Sequence, residues 1–154
     1  MVDEKKRYEQ MLSAMLAFVD TVNAHHAEGV CFGTDIPLYP AEIHTIAAIA
    51  EAEGGSLTKL AGILGISKPT LSERIRKLVA KGFVRKEANP DDRKAVTLWL
   101  TENGRTADHH HTLHHERLYA DFCLFFGNKA PIKIDHFKMT FDELIALNAR
   151  SNRV

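Results

Sequence analysis

Apolar residues recur at three- and four-residue spacing through Tyr8, Met11, Leu12, Met15, Leu16, Val19 and Val22. That period predicts a long first helix over about 8–27 with one apolar stripe. Gly29, Gly33, Pro37 and Pro40 break the pattern and predict a loop. A second helix follows over about 41–53, with Ile43, Ile46, Ala47, Ile49 and Ala50 inward, and Gly54-Gly55 ends it. Leu57, Leu60, Ala61 and Leu64 predict a short third helix over 57–64, closed by Gly65. Ser67 is placed to cap a fourth helix whose first turn holds Pro69 and whose buried stripe is Leu71, Ile75, Leu78 and Val79.

Beyond Gly82 the period changes from helical to alternating. Phe83 to Glu87 and Ala95 to Leu100 read as two strands, with Val96, Leu98 and Leu100 on one side and Thr97 and Trp99 on the other. The polar segment Asn89-Pro90-Asp91-Asp92-Arg93-Lys94 joins them as a hairpin loop. Thr101 opens a fifth helix to about 126, Gly127 to Pro131 interrupt the chain, and Ile134, Phe137, Phe141, Leu144, Ile145 and Leu147 mark a final helix. The expected architecture is mainly α with a small β-hairpin wing: a winged helix-turn-helix. It forms a single domain over 1–154, a lobe at 38–101 flanked by dimerising helices in 1–37 and 102–154. A winged-helix core alone has no use for apolar stripes on three further helices, so a homodimer is expected.

A formal net charge of zero argues against a nucleic-acid partner until the charges are located. Between 59 and 94 the chain carries ten basic and four acidic residues, and the rest is correspondingly acidic. Phosphate binding depends on the contacts made and not on whole-molecule charge. The fourth helix keeps Ser67, Lys68, Pro69, Thr70, Ser72, Glu73, Arg74, Arg76 and Lys77 on or beside its outer face. In a major groove Thr70, Ser72 and Arg76 could meet base edges and Lys68 and Lys77 phosphates, while Glu73 could accept from a cytosine amino group. In the hairpin loop Arg93, beside Lys94, projects from a polar tip that suits a narrow minor groove. Double-stranded DNA is thus the expected partner, and the competing view, a solvated charged face, accounts for the charge but not for its coincidence with a helix-turn-helix.

The segment SLTKLAGILGISKPTLSERIRKLVAKGFVRKEANPDDRKAVTLWLTENG resembles the DNA-binding core of MarR-family regulators. The resemblance rests on Leu60-Ala61, Leu78 with Gly82 four residues on, Asp91-Asp92-Arg93-Lys94, and Leu100-Thr101 followed by Gly104. It implies an obligate dimer built from the first, fifth and sixth helices, which reads a pseudo-palindromic operator and acts as a repressor. It also implies that Arg93 is the minor-groove arginine and that Asp92 orients a neighbouring group.

The charged first ten residues, and the lack of any apolar run near the ~18 residues that span a bilayer, lead to a cytoplasmic expectation without a membrane partner. Cys31 and Cys123 have no CxxC spacing and are expected as free thiols. Five of the nine histidines fall between 109 and 115. His111 and His115 share one helical face, as do His110 and His114, and either pair could offer two imidazoles to one ion such as Zn(II). Further ligands could come from His25 or His26, Cys31, Glu42 and His44, at spacings similar to those of zinc-sensing MarR-family members. Those members carry an adjacent Glu-His pair where this chain has Glu42-Ile43-His44, so the ligand from the second helix stays open, and His110 stands where an acidic ligand is expected. A solvated histidine-rich face, a small organic ligand in the cleft beside the dimer interface, and oxidation of Cys31 are the other readings of the effector. A zinc-dependent enzyme is disfavoured because HExxH is absent and no base or oxyanion arrangement accompanies HHHxxHHE.

Overall fold

The computed structural model describes residues 2–88 and 96–151, without the side chains of Val2, His25, His26 and Ser151. Its elements run α1 (Val2–His26), α2 (Pro40–Glu51), β1 (Gly55–Ser56), α3 (Leu57–Leu64), α4 (Lys68–Ala80), β2 (Val84–Ala88), β3 (Val96–Leu100), α5 (Glu102–Phe126), a 3-10 turn (Gly127–Lys129) and α6 (Ala130–Ser151). Two compact units divide the chain, Met1–His111 and Thr112–Val154.

In the first unit, local chemistry sets each boundary. Glu42 reaches back to the Tyr39 N–H (3.0 Å) at the start of α2, while Pro40 in the first turn has no N–H to satisfy. Ser56 caps α3 by accepting from the Lys59 N–H (3.2 Å), and Gly65 ends it in the left-handed region at φ 63°. Ser67 caps α4 by accepting from the Thr70 N–H (3.2 Å). Thr101 caps α5: its hydroxyl accepts from the Gly104 N–H (3.1 Å) and donates to the Gly82 carbonyl (2.6 Å), which ties that helix to the end of α4.

The hydrophobic core joins Leu38, Ile43, Ile46 and Ile49 to Leu60, to Leu71, Ile75 and Leu78 of α4, and to Phe83, Leu98 and Leu100 of the wing. Three antiparallel strands lie in the order β1-β3-β2, with Gly55 opposite Leu98 and Val84 opposite Leu100. β1 was not foreseen: two residues beside a Gly-Gly pair carry no alternation, and only pairing with β3 makes them a strand. Trp99 lies over Gly54, where a Cβ would meet its ring at 2.8 Å, so a residue expected on the polar side of β3 is half-covered. Val79 is 38% exposed and leaves the stripe expected of α4. α1 begins earlier than its apolar period because charged residues sustain its first turns, and the break expected over 127–131 shrinks to one 3-10 turn.

No described side chain of α1 is buried, and Tyr8, Met11, Leu16, Phe18 and Val19 are all exposed. In the second unit Phe122, Phe126 and Phe137 pack together, with ring centroids 4.6 Å apart for Phe122 and Phe126 and 5.9 Å for Phe126 and Phe137. That unit also exposes Leu124, Phe125, Ile132, Met139, Phe141, Ile145 and Leu147. Among the described residues no helix is long and apolar enough to cross a membrane.

Candidate DNA-reading face and histidine pair

Helix α4 buries Leu71, Ile75 and Leu78 and leaves Lys68, Pro69, Thr70, Ser72, Glu73, Arg76 and Lys77 exposed, as its apolar spacing predicts. These residues share one solvated stretch of helix, but their side chains are not all idle. The Ser67 hydroxyl serves as the cap and lies 2.7 Å from the Thr70 hydroxyl. Glu73 grips the Arg76 guanidinium through both oxygens (Nε 3.1 Å, Nη2 2.7 Å) and lies 3.8 Å from the Lys77 ammonium. The hydrogen bond from Arg76 is the largest cause of a carboxyl pKa held below its ordinary value, and Glu73 in turn raises that of Arg76. Arg74 departs from the face expected of it. It is half-buried and donates through Nη1 to the Thr45 hydroxyl (3.1 Å), which itself donates to the Ala41 carbonyl (2.8 Å). In the wing, Arg85 and Glu87 form an ion pair on β2. Arg93 and Lys94 lie outside the described residues.

A second group gathers where the 30–38 loop and α2 meet the first turns of α5, within the first unit. His111 is buried, its ring edge-on to Phe32 (5.6 Å) and tilted against His44 (5.5 Å), which stands exposed on α2. The ligand nitrogens of His44 and His111 come within 4.8 Å of each other. Nitrogens sharing a tetrahedral zinc at ~2.0–2.1 Å stand about 3.4 Å apart, so a small rotation of either ring brings the pair onto one ion. Gly33, at φ +67°, lies so close under His110 that a Cβ there would meet the imidazole. His110 thus lies over the loop, and it is the His111 ring that lies against His44. His115 follows His111 by one turn on α5.

Among the described residues, Glu42 and Cys31 do not join this group. Glu42 is buried, with Oε2 accepting from the Tyr39 N–H and from Lys81 Nζ (2.7 Å), so its carboxylate is already engaged. Glu42 lies on the inward side of α2, whereas His44 stands on its exposed side. Cys31 is exposed and is a free thiol, as is Cys123. The side chain of His26 lies outside the described residues. Lys81 and Thr45 were missed from the sequence. Lys81 also donates to the Pro37 carbonyl (3.0 Å) and sits over the Tyr39 ring (5.4 Å), fastening the end of α4 to the loop before α2. A polar residue in the inward stripe of α2, as Thr45 is, was the available signal, because a buried hydroxyl requires a partner.

A capped helix pair with a turn, a polar outer face on the second helix and a three-stranded wing define a winged helix-turn-helix protein. Residues 38–96 match the MarR family. The chain is 23% identical over 145 residues to an uncharacterized HTH-type transcriptional regulator, YhjH of Bacillus subtilis (strain 168), covering 94% of this chain and 80% of that protein. Its fold is similar to that of Streptococcus pneumoniae FabT in complex with DNA (TM-score 0.70, 20% identity, 92% of this chain and 96% of that one). It is also similar to ZitR of Lactococcus lactis, a zinc-responsive MarR family member (TM-score 0.65, 22% identity, 92% and 98%). Over residues 38–96 the chain is thus similar to MarR-family transcription regulators, and its fold is that of a winged helix-turn-helix protein.

Proposed function

We propose that this chain is a MarR-type DNA-binding transcription regulator that binds pseudo-palindromic operators as a homodimer, represses from them, and responds to a divalent ion held by His44, His111 and His115. The approach of His44 to the buried His111 carries the reading. Two imidazoles from separate segments within 4.8 Å make the bidentate start of a nitrogen-rich site, and such ligands suit Zn(II). His115, one turn on along the same face of α5, is the third donor, and water completes a tetrahedron. Similarity in fold to a zinc-responsive regulator supports the same reading. Dimerisation is supported by the apolar side chains exposed along α1 and α6, more than a lone soluble chain leaves in water.

The test combines calorimetry with DNA binding. A wild-type dimer in sedimentation should take up Zn(II), and chelator should change its affinity for duplex selected from a randomised library. His44→Ala and His115→Ala, both at exposed positions, should weaken zinc uptake and remove the chelator effect while leaving the fold intact by circular dichroism. Uptake should decline as pH falls, because imidazole must lose its proton to coordinate. Zinc uptake unchanged in both variants, or DNA binding indifferent to chelator, overturns metal control in favour of an organic effector. A monomer at micromolar concentration overturns the dimer.

A further inference from the structure

The recognition helix presents its arginine already occupied. Arg76 and Lys77 are its two basic residues beyond the first turn that remain outward, since Arg74 is turned to Thr45. Both lie against one carboxylate: Glu73 takes the Arg76 fork bidentately at 2.7 and 3.1 Å and stands 3.8 Å from Lys77 Nζ. A guanidinium bound through Nε and Nη2 has one of its two bidentate donor edges occupied and its charge already opposed, so guanine or a phosphate must either displace the carboxylate or settle for the remaining edge beside it. The pair is exposed, with side-chain exposures of 73% and 51%, so it is weak enough to be exchanged for a better partner.

We propose that Glu73 is a specificity-determining residue that acts through Arg76 and Lys77, an internal competitor for DNA phosphate which suppresses binding to arbitrary sequence. On a random duplex, Arg76 gains a phosphate only by giving up a carboxylate of similar worth, so little net affinity results. On the correct site it gains a bidentate base contact in the groove, where water is displaced and the exchange becomes favourable. Glu73 thereby lowers the non-specific background against which an operator must be found, and a genome offers about 10⁶–10⁹ competing sites. The inference rests on α4 as the DNA-reading helix.

Anisotropy titrations over a range of salt concentrations test it, with random-sequence duplex and with the duplex that wild type selects from a randomised library. Glu73→Gln should raise affinity for random duplex about two- to five-fold, and steepen its salt dependence by about one further phosphate contact per protomer. Affinity for the selected duplex should rise less or fall, so the specificity ratio drops. In an Arg76→Ala, Lys77→Ala background the same substitution should do much less, because the groups it acts through are gone. Three results would overturn the proposal. One is an unchanged random-duplex affinity and slope. Another is an equal gain in the double-alanine background, which indicates plain repulsion between Glu73 and phosphate. The third is a loss confined to the selected duplex with altered preference at one base pair, which indicates that Glu73 reads cytosine directly. If wild type binds neither duplex, the DNA-reading assignment of α4 fails instead.

Discussion

Lys81→Met is the most informative perturbation of the first unit, because it separates a buried ion pair from the exposed ones. Lys81 Nζ lies 2.7 Å from Glu42 Oε2 and 3.0 Å from the Pro37 carbonyl, and the two side chains are only 26% and 9% exposed. Methionine retains most of the aliphatic stem over Tyr39 but leaves the Glu42 carboxylate in the protein with the Tyr39 N–H as its one remaining donor among the contacts described. Removing one partner of a fully buried pair costs about 3–5 kcal/mol. Water reaches this site past the partly exposed lysine, so the lower value of about 2–3 kcal/mol applies. For a chain of this length that corresponds to a melting-point loss of roughly 4–12 °C. Glu42→Gln should cost less, because the lysine it strands can turn outward to solvent while the carboxylate stranded by Lys81→Met cannot. The control is Lys138→Ala, which breaks a fully solvated pair with Asp142 and should leave the melting point unchanged. Thermal scans at one fixed protein concentration, which keeps any dimer contribution constant, provide the measurement. Equal effects for Lys81→Met and Lys138→Ala, or a larger loss for Glu42→Gln than for Lys81→Met, would refute the assignment of Glu42 and Lys81 as a buried structural bracket.

Arg93→Ala should weaken binding to a selected duplex by about tenfold or more, the loss of a charged groove contact, without shifting the melting point; unchanged affinity at fixed salt rejects a role for the wing tip. Lys77→Ala should weaken all duplexes alike and reduce the salt slope by about one, a different signature from that of Arg93. Burial raises the Asp108 carboxyl pKa above its ordinary 3.8, against the opposing influence of His109. The fold therefore favours the protonated form, and the stability this group contributes is present below about pH 3.8 and lost as pH rises through its higher folded value. Asp108→Asn should remove that part of the acid limb and slightly stabilise the protein at neutral pH; a pH–stability curve identical to wild type contradicts it.

The helices and the wing were legible because each is specified locally. Ser56 and Ser67 cap helices whose apolar positions repeat at the helical period, Gly65 supplies a left-handed stop, and the third helix falls on the residues its period marks. β1 was invisible because two residues acquire strand character only through a partner that lies some forty positions on. The outer face of α4 was readable from spacing. The inward turn of Arg74 was not, since it depends on the Thr45 hydroxyl 29 positions away. The same holds for Glu42, a plausible ligand by residue type, whose commitment becomes visible only when Lys81 arrives from the end of another helix. The approach of His44 to His111 is likewise a matter of which side of α2 faces α5, which the sequence alone left open.

Helix α2 is where the two sites meet. Within one turn it carries Glu42, fastened to Lys81 at the end of α4, then His44 against His111, then Thr45, fastened to Arg74 near the middle of α4. Its remaining face, Ile43, Ile46 and Ile49, is fully packed in the core. A close-packed helix does not deform one residue at a time, so a displacement imposed at His44 is shared by its neighbours. The two polar links hold α4 at separate points along its length, and a shift of α2 therefore changes the tilt of the recognition helix as well as its position. Under the proposed metal control this supplies the differential contact that coupling requires, and linkage demands that operator DNA alter zinc affinity by the same factor that zinc alters DNA affinity. Thr45→Val tests the route without touching a proposed ligand. It should leave zinc uptake intact and reduce the effect of zinc on DNA binding, and an unchanged coupling factor in that variant would show that the signal travels past α2 by another path.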